Sequence, residues 1–161
     1  MSEESIRPIA KKDNAAIATV IRNVLVEFGV PKVGTAYADA NLDGLYETYQ
    51  DDKKVYFVLE IDGTICGGAG IQQLQGTTEN ICELQKMYFA PEVRGKGFGK
   101  MMITRCLQQA KVFGFAQCYL ETTPYMHDAR KLYEKSGFYY IDKPIGNTGH
   151  YSCHTWMLKD L

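Results

Sequence analysis

One segment, residues 83–100, constrains the fold of this chain more than any other. It reads ELQKMYFAPEVRGKGFGK: a β-type run leads to Pro91, and a loop with glycines at 95, 97 and 99 precedes a helical pattern over Met101–Phe113. Glycine adopts φ angles that other residues resist and lets the backbone approach a ligand closely. The first N–H groups of a helix have no intrahelical partners and lie at the positive end of its dipole. The segment therefore predicts a polyphosphate site at a helix N-terminus.

The charges near this segment agree with an anionic ligand. Five cations lie in or close to it: Lys86, Arg94, Lys96, Lys100 and Arg105. We expect Arg94, Lys96 and Lys100 to add mobile positive charge to the fixed backbone donors. The whole chain has a net charge of −1, whereas a nucleic-acid-binding protein is expected to carry a basic surplus. The cluster therefore predicts a small anionic ligand and no nucleic acid.

Two familiar glycine motifs do not fit this loop. A P-loop would need glycine in place of Arg94 and serine or threonine after Lys100, where Met101 stands. The dinucleotide motif needs the spacing G-x-G-x-x-G, but these three glycines are evenly spaced. The pattern that remains is Arg-x-x-Gly-x-Gly, formed by Arg94, Gly97 and Gly99.

Hydrophobic periodicity elsewhere predicts a mixed sheet flanked by helices. An amphipathic helix begins after Asp13, a candidate N-cap, and ends at Gly29, and a shorter helical pattern follows over Tyr37–Tyr49. Glycines 67, 68 and 70 weaken one strand or permit a bulge in it. A last helix is predicted over Met126–Ser136. The predicted strands are Ser5–Ala10, Lys54–Ile61, Thr64–Leu74, a central strand from Ile81, Phe115–Glu121, Phe138–Ile141 and Tyr151–Leu158.

Length and composition predict one domain over residues 1–161. No apolar run approaches the roughly 20 residues that span a bilayer, and the N-terminus lacks the pattern of a secretion signal. We therefore expect a cytoplasmic protein with no membrane contact. The five cysteines show no C-x-x-C pair and are expected to be reduced. An exposed final strand and a β-rich C-terminal half favour a homodimer.

A second signature lies about 30 residues after the glycine loop. Residues 129–138 read ARKLYEKSGF, which gives the pattern Ala-x-x-Leu-Tyr-Glu-Lys-x-Gly-Phe. Together with Arg-x-x-Gly-x-Gly, this pattern resembles the GNAT superfamily of N-acetyltransferases over most of the chain, from about Lys54 to the C-terminus. The resemblance implies an α+β (mixed α/β) fold. Its central sheet has about seven mostly antiparallel strands with a parallel, splayed pair at the centre, and about four helices flank it.

The resemblance also implies acetyl-CoA as cosubstrate and assigns the residues that would hold it. The end of the central strand would bond the pantetheine arm through its backbone, and the glycine loop would bind the pyrophosphate. Many family members have asparagine where this chain has Met126, whose thioether is only a weak acceptor. Any contact there should therefore be apolar. The implied cofactor-binding residues are Met87, Tyr88, Phe89, Arg94, Gly95, Lys96, Gly97, Phe98, Gly99, Lys100, Met126 and Tyr133.

Two residues are candidates for proton transfer. Tyr133 matches the tyrosine that lies near the coenzyme sulfur in the family, and a phenol with an ordinary pKa of about 10 could protonate a departing thiolate. Strand alternation puts Glu83 on the same face as Gln85, Met87 and Phe89, at the offset where some family members carry a general base. Each residue also has a structural alternative: Tyr133 as a core aromatic, and Glu83 as an acid that pairs with a cation or faces solvent.

The predicted function is acetyl transfer from acetyl-CoA to a primary amine by direct attack in a ternary complex. Two alternatives stay open: a module that binds acyl-CoA without turnover, and an enzyme of the same fold that transfers a longer acyl group. No metal is expected, because the three histidines do not form a metal-spaced set. His150 and Asn147 border the acceptor side in the family pattern. The acids Glu27, Asp39, Asp43 and Glu47 would suit a cationic acceptor, although such a series is usually a solvated helix face.

Overall fold

The computed structural model describes residues 2–123 and 126–161, and its centre is a mixed sheet. Within these ranges seven strands pair in the order β1-β2-β3-β4-β5-β7-β6. Only β4 and β5 run parallel; every other neighbouring pair is antiparallel. The α+β prediction and its central parallel pair are confirmed. The strands are β1 Glu4–Pro8, β2 Val55–Ile61, β3 Thr64–Gln73, β4 Ile81–Phe89, β5 Gln117–Thr122, β6 Tyr139–Ile141 and β7 Thr155–Asp160.

Four α-helices occur in the described ranges: α1 Asn14–Glu27, α2 Leu45–Thr48, α3 Phe98–Phe113 and α4 His127–Lys135. The helix predicted over Tyr37–Tyr49 is wrong as a continuous element. Two 3₁₀ turns, Ala36–Ala38 and Leu42–Gly44, precede the single turn of α2. Gly44 and the short polar side chains before it disfavour a regular helix. The apolar residues of this stretch are instead buried as separate anchors under α1.

Asp13 occupies the N-cap position of α1, as predicted, but its side chain makes no capping hydrogen bond. Its carboxylate instead accepts two hydrogen bonds from the Arg7 guanidinium and one from the Ala10 N–H. The acid therefore fastens β1 to the start of the helix. All five cysteines are free, as expected, and four of them are buried.

Two of the three hydrophobic clusters in the described residues cover the two faces of the sheet. The first, which we call the α3 core, packs α3 against residues such as Phe57, Cys82 and Leu84. The second, which we call the α1 core, packs α1 and the 36–49 segment against residues such as Tyr56 and Val58. The central strand β4 contributes to both, and its side chains therefore decide what each face of the sheet presents.

A bulge at Lys86 changes the alternation of β4. Gly68 pairs with Tyr88 but Gly70 pairs with Gln85, so β4 has one more residue than β3 between these pairs. Lys86 lies in the left-handed region with φ of 50°. The predicted common face of Glu83, Gln85, Met87 and Phe89 is therefore wrong: Met87 and Phe89 pack on the α3 core, with Cys82 and Leu84. Tyr88 joins the α1 core, on the side of Glu83 and Gln85.

The last strand is not an edge strand. β7 lies between β5 and β6 and is paired on both sides. The homodimer prediction rested partly on an exposed final strand, and β7 does not provide one. The free edges of the described sheet are β1 and β6. No helix in the described ranges is long and apolar enough to cross a membrane.

Candidate active site

The glycine loop presents its backbone to open space at the start of α3. Gly95 and Gly97 have φ of 75° and 87°, and Gly97 is the N-cap of α3. A Cβ built on either residue would meet no atom within 4 Å. The first intrahelical bond runs from the Met101 N–H to the Gly97 carbonyl. The N–H groups of residues 98–100 precede it and are available to a ligand.

Gly99 has a different role from the two loop glycines. It lies in the first turn of α3, and a Cβ there would stand 2.6 Å from Cδ2 of Leu132. Leu132 belongs to α4 and to the second sequence signature. The missing side chain therefore lets α4 pack close to the helix N-terminus, which brings the two signatures together in space.

A groove of about 410 Å³ runs along this loop between α1 and α4. Of the predicted cofactor residues, Lys96 is not part of its wall and is exposed. Tyr133 lines an adjoining cavity instead. The predicted residues that do line the groove are Met87, Tyr88, Phe89, Arg94, Gly95, Gly97, Phe98, Gly99, Lys100 and Met126.

Arg94 is held in place, which contradicts the expectation of a mobile charge. Its guanidinium forms two hydrogen bonds, of 2.7 and 2.9 Å, with the carboxylate of Glu27 at the end of α1. Its Nε donates to the Phe89 carbonyl at 3.0 Å, and the group lies over the Phe28 ring. The arginine therefore ties the loop to both β4 and α1.

The five cations in and near the 83–100 segment do not form one cluster. The Lys86 side chain does not line the groove and pairs instead with Asp39 at 2.8 Å. Arg105 lies over the Phe57 ring and donates to the Ile6 carbonyl. Lys96, Lys100 and Arg105 are exposed and make no ion pair within the described residues, and of these three only Lys100 lines the groove. The fixed N–H donors, rather than a group of side-chain charges, thus dominate this end of the groove.

A second cavity adjoins the groove on the α1 face of the sheet. The two share Met87, Tyr88 and Met126, so the end of β4 separates and connects them. Glu83, Tyr133 and His150 line this second cavity, which we call the acceptor-side cavity. Residues 83–86 of β4 therefore line only this cavity, whereas residues 87–89, after the bulge, reach the groove.

Glu83 lies in the wall of the acceptor-side cavity and is 5% exposed. Burial raises the pKa of its carboxyl from 4.5 to about 7; the Gln85 hydrogen bond opposes this rise, and Glu121 adds to it. Gln85 Nε2 donates to Glu83 Oε1 at 2.6 Å. The Gln85 side-chain oxygen in turn accepts from the Tyr49 hydroxyl and from Gln72 Nε2. The carboxyl is therefore oriented by a fixed amide and titrates near neutrality.

Tyr133 is buried between the two pockets, 7% exposed, with its ring edge-on to Phe138. Its hydroxyl makes no hydrogen bond to any residue in the described ranges. Burial raises the pKa of this phenol above its ordinary value. The side chain therefore keeps its proton at neutral pH and has it available for a ligand.

The sequence pointed to Asp39 and His150 separately, but not to the charged cluster that they form with Lys86 on this cavity. Asp39, from the 36–49 segment, accepts from Lys86 Nζ at 2.8 Å and contacts His150 Nε2 at 2.8 and 3.0 Å. Burial would lower the pKa of His150, but the hydrogen bond to Asp39 raises it above its ordinary value. The three residues lie far apart in the chain, at positions 39, 86 and 150, and only the fold and the bulge at Lys86 bring them together. Their spacing in the sequence does not indicate this contact.

A second carboxylate in the cavity wall accepts one hydrogen bond on each of its oxygens. Glu121 accepts from the Tyr119 hydroxyl at 2.6 Å through one oxygen and from the Thr148 hydroxyl through the other. Within the described ranges, no three His, Cys, Asp or Glu side chains are arranged to hold a metal ion.

The class of protein that this sheet and these two adjoining pockets define is an acyltransferase. The model of the acetyltransferase (GNAT) family matches residues 13–138. The chain therefore belongs to the GNAT acetyltransferase family, and the resemblance seen in the sequence is confirmed.

Similar proteins agree with this assignment. The chain is 46% identical over 157 residues to the uncharacterized N-acetyltransferase YjgM of Escherichia coli (strain K12), covering 97% of this chain and 94% of that protein. A GNAT-family acetyltransferase from Staphylococcus aureus Mu50 has the same fold, with a TM-score of 0.85, 18% identity and 99% coverage of both chains. The yncA protein of Salmonella typhimurium, solved with acetyl-CoA, gives 0.79 and 20% identity over 99% of this chain and 94% of its own.

Proposed function

We propose that this protein transfers an acetyl group from acetyl-CoA to a primary amine by direct attack in a ternary complex. The observation that carries the proposal is the junction of the two pockets at the end of β4. The Glu83 carboxyl, which titrates near pH 7, lies on one side of this junction. The N-terminus of α3, with its free N–H groups, lies on the other. Cytoplasmic location stays a prediction of the sequence.

The chemistry of the groove supports acetyl-CoA as the ligand. The open backbone of Gly95 and Gly97 and the first N–H groups of α3 would hold the pyrophosphate. The end of β4, from Met87 to Phe89, would hold the pantetheine arm. The cosubstrate supplies an activated thioester carbonyl, and Met126, between the pockets, offers only an apolar contact there.

The protons can be followed through the residues of this chain. An alkyl amine titrates near pH 10 and reaches the site largely as ammonium, so it must lose a proton before it attacks. Glu83 accepts that proton, directly or through water. The amine nitrogen then forms a C–N bond with the thioester carbonyl carbon while the C–S bond breaks. Tyr133 donates its proton to the departing sulfur, which leaves as a thiol. The nitrogen then loses its second proton, which returns the Tyr133 phenolate to the phenol and leaves a neutral amide. Alignment of the two substrates provides much of the rate.

A thiol-release assay tests this proposal. Acetyl-CoA and a panel of primary amines should release free coenzyme A thiol at rates that depend on both concentrations. Coenzyme binding in calorimetry with no thiol released from any amine would reject the proposal and favour a binding module. Parallel runs with propionyl- and succinyl-CoA test the acyl preference, and faster turnover of either would favour the longer-acyl alternative.

Tyr133→Phe is expected to lower kcat by about tenfold to a hundredfold while the Kd for acetyl-CoA changes by less than about threefold. The phenylalanine ring keeps the packing against Phe138 and removes only the hydroxyl. Steady-state kinetics and calorimetry on one preparation separate the two effects. A kcat equal to that of the unmodified protein would remove Tyr133 from the mechanism and leave it as a core aromatic.

Glu27→Gln is expected to raise the Kd for acetyl-CoA by about threefold, the scale of one exposed ion pair. The direction of the change in Kd distinguishes two effects. Loss of a negative charge near a polyanion should by itself tighten binding, whereas release of Arg94 should loosen the loop and weaken it. Asp43→Asn is the matched control, because it breaks the other exposed bidentate pair, with Arg22, away from the groove. Tighter binding in Glu27→Gln would contradict a positioning role for the Glu27–Arg94 pair.

A further inference from the structure

The acids that the sequence offered to a cationic acceptor are already engaged. Glu27 pairs with Arg94, and Asp43 pairs with Arg22. Glu47 accepts from the Asn14 amide, and Asp39 binds Lys86 and His150. These four acids therefore do not form a row of free carboxylates for a polyamine or a basic peptide.

The acceptor-side cavity instead contains a buried lysine and a half-buried histidine that share one carboxylate. The bulge turns Lys86 into the cavity wall, where its side chain is 6% exposed, and His150 reaches the same wall from the loop before β7. Both bind the single carboxylate of Asp39. An ammonium has three N–H donors, and Asp39 is the one ion-pair partner of Lys86 among the described residues. With His150 protonated, the trio carries one positive charge in excess.

The rest of the cavity wall contributes an acid and a hydroxyl group. Glu83 lies in the same wall, close enough for Lys86 and His150 to lower its pKa against the larger effect of burial. Thr123 is 4% exposed, and its hydroxyl has no hydrogen-bond partner in the described residues although it lines the cavity. Glu121 has both oxygens occupied. The cavity therefore has an acidic position at Glu83, a cationic position at Lys86 and His150, and an unused hydroxyl.

We propose that the acceptor is a small amine that carries a carboxylate, of the amino-acid class. Its amine would bind at Glu83, and its carboxylate would bind at Lys86 and His150. The Thr123 hydroxyl would complete its hydrogen bonds. The cavity volume of about 50 Å³ agrees with an acceptor of a few heavy atoms. The inference rests on the proposed acetyl transfer and goes further by naming the acceptor.

Matched pairs of amines test the inference. Thiol release from acetyl-CoA is measured with each of the common α-amino acids, with its α-carboxamide, with spermidine and with a lysine-containing peptide. We expect at least one amino acid to exceed its own amide by tenfold or more in kcat/KM, and to exceed spermidine and the peptide. Turnover of amides, spermidine or the peptide as well as or better than any amino acid would overturn this inference but leave acetyl transfer intact. No release from any amine would instead reject the proposed function.

Two variants connect the preference to the cation pair. Lys86→Met and His150→Gln should each raise KM for the preferred amino acid by about tenfold or more, the scale of a hydrogen bond to a charged group. KM for its amide should change little. Lys111→Met, an exposed lysine on α3, is the control. Because Lys86→Met leaves Asp39 with one partner, its melting temperature and coenzyme Kd are checked, and His150→Gln retains the Lys86–Asp39 pair. An unchanged preference in both variants would overturn the inference.

Discussion

Replacing Glu83 with glutamine is expected to lower kcat/KM by about a hundredfold or more, the scale of a lost general base. Glutamine keeps the shape of the side chain and can still accept from Gln85 Nε2, but it cannot take a proton from the amine. In the unmodified protein, kcat/KM should rise about tenfold per pH unit and level off above pH about 7, where the buried carboxyl ionises. The variant should lose this dependence. Kinetics from pH 5 to 9 at saturating acetyl-CoA measure both effects.

The same substitution is expected to stabilise the fold at alkaline pH. The folded state raises the pKa of Glu83 from 4.5 to about 7, so between these values the folded protein keeps a proton that the unfolded chain releases. Stability therefore falls as pH rises through this window, by roughly 3.5 kcal/mol at about 1.4 kcal/mol per pKa unit. Glutamine removes this loss. The melting temperature at pH 8.5 should rise by about 7–14 °C, with little change near pH 4.5.

Glu79→Gln is the matched control for both measurements. Glu79 is an exposed acid in the turn before β4, and its side chain makes no ion pair within the described residues. It should leave the kinetics and the pH dependence of stability unchanged. A Glu83→Gln variant with unimpaired kcat/KM would reject the base role, and one without the alkaline stabilisation would contradict the buried, titrating carboxyl.

Gly97→Ala is expected to raise the Kd for acetyl-CoA by about tenfold or more. Gly97 has φ of 87°, where a non-glycine residue is strained by about 1–2 kcal/mol, and its Cβ would project into the open space above the loop. That space is where the pyrophosphate would approach the N–H groups of α3. Calorimetry with acetyl-CoA and with free coenzyme A measures the effect, and kcat at saturation should change much less than Kd.

Gly63→Ala separates ligand exclusion from backbone strain. Gly63 lies in the β2–β3 turn with φ of 83°, and a Cβ there also meets nothing within 4 Å. Both variants should therefore lose a similar amount of stability, about 1–2 kcal/mol, in thermal unfolding. Only Gly97→Ala should weaken coenzyme binding. Equal coenzyme affinity in the two variants would contradict the placement of the phosphate on this loop.

Much of the groove and its glycine loop could be predicted from the sequence because their signals are local. The strand, loop and helix of residues 83–113 follow one another in the chain, and the bond between Met101 N and Gly97 O is a contact across four residues. The Leu-Tyr-Glu-Lys signature likewise lies on one helix, α4. Glycine conformations and helix termini depend on neighbouring residues, so their consequences are visible in a sequence.

The acceptor side could not be predicted in the same way. Strand alternation gave the wrong face for Met87 and Phe89 because the Lys86 bulge inserts one residue into β4. Glycines 67, 68 and 70 indicated that a bulge was permitted in β3, but not which residue of its partner would be displaced. Arg94 appeared as a mobile charge because Glu27, its partner, lies 67 positions earlier in the chain.

The sequence by itself determined the class of fold, the glycine loop and the identity of the proton-handling candidates. Only the tertiary structure decided which face of β4 lines the second cavity, that Arg94 is paired with Glu27 of α1, and that Asp39 binds both Lys86 and His150. The physical reason is the sequence separation of the interacting residues. Turns and helix ends are set by interactions within a few residues. Strand register, ion pairing and the burial that shifts the pKa of Glu83 come from segments that meet only when the sheet has formed.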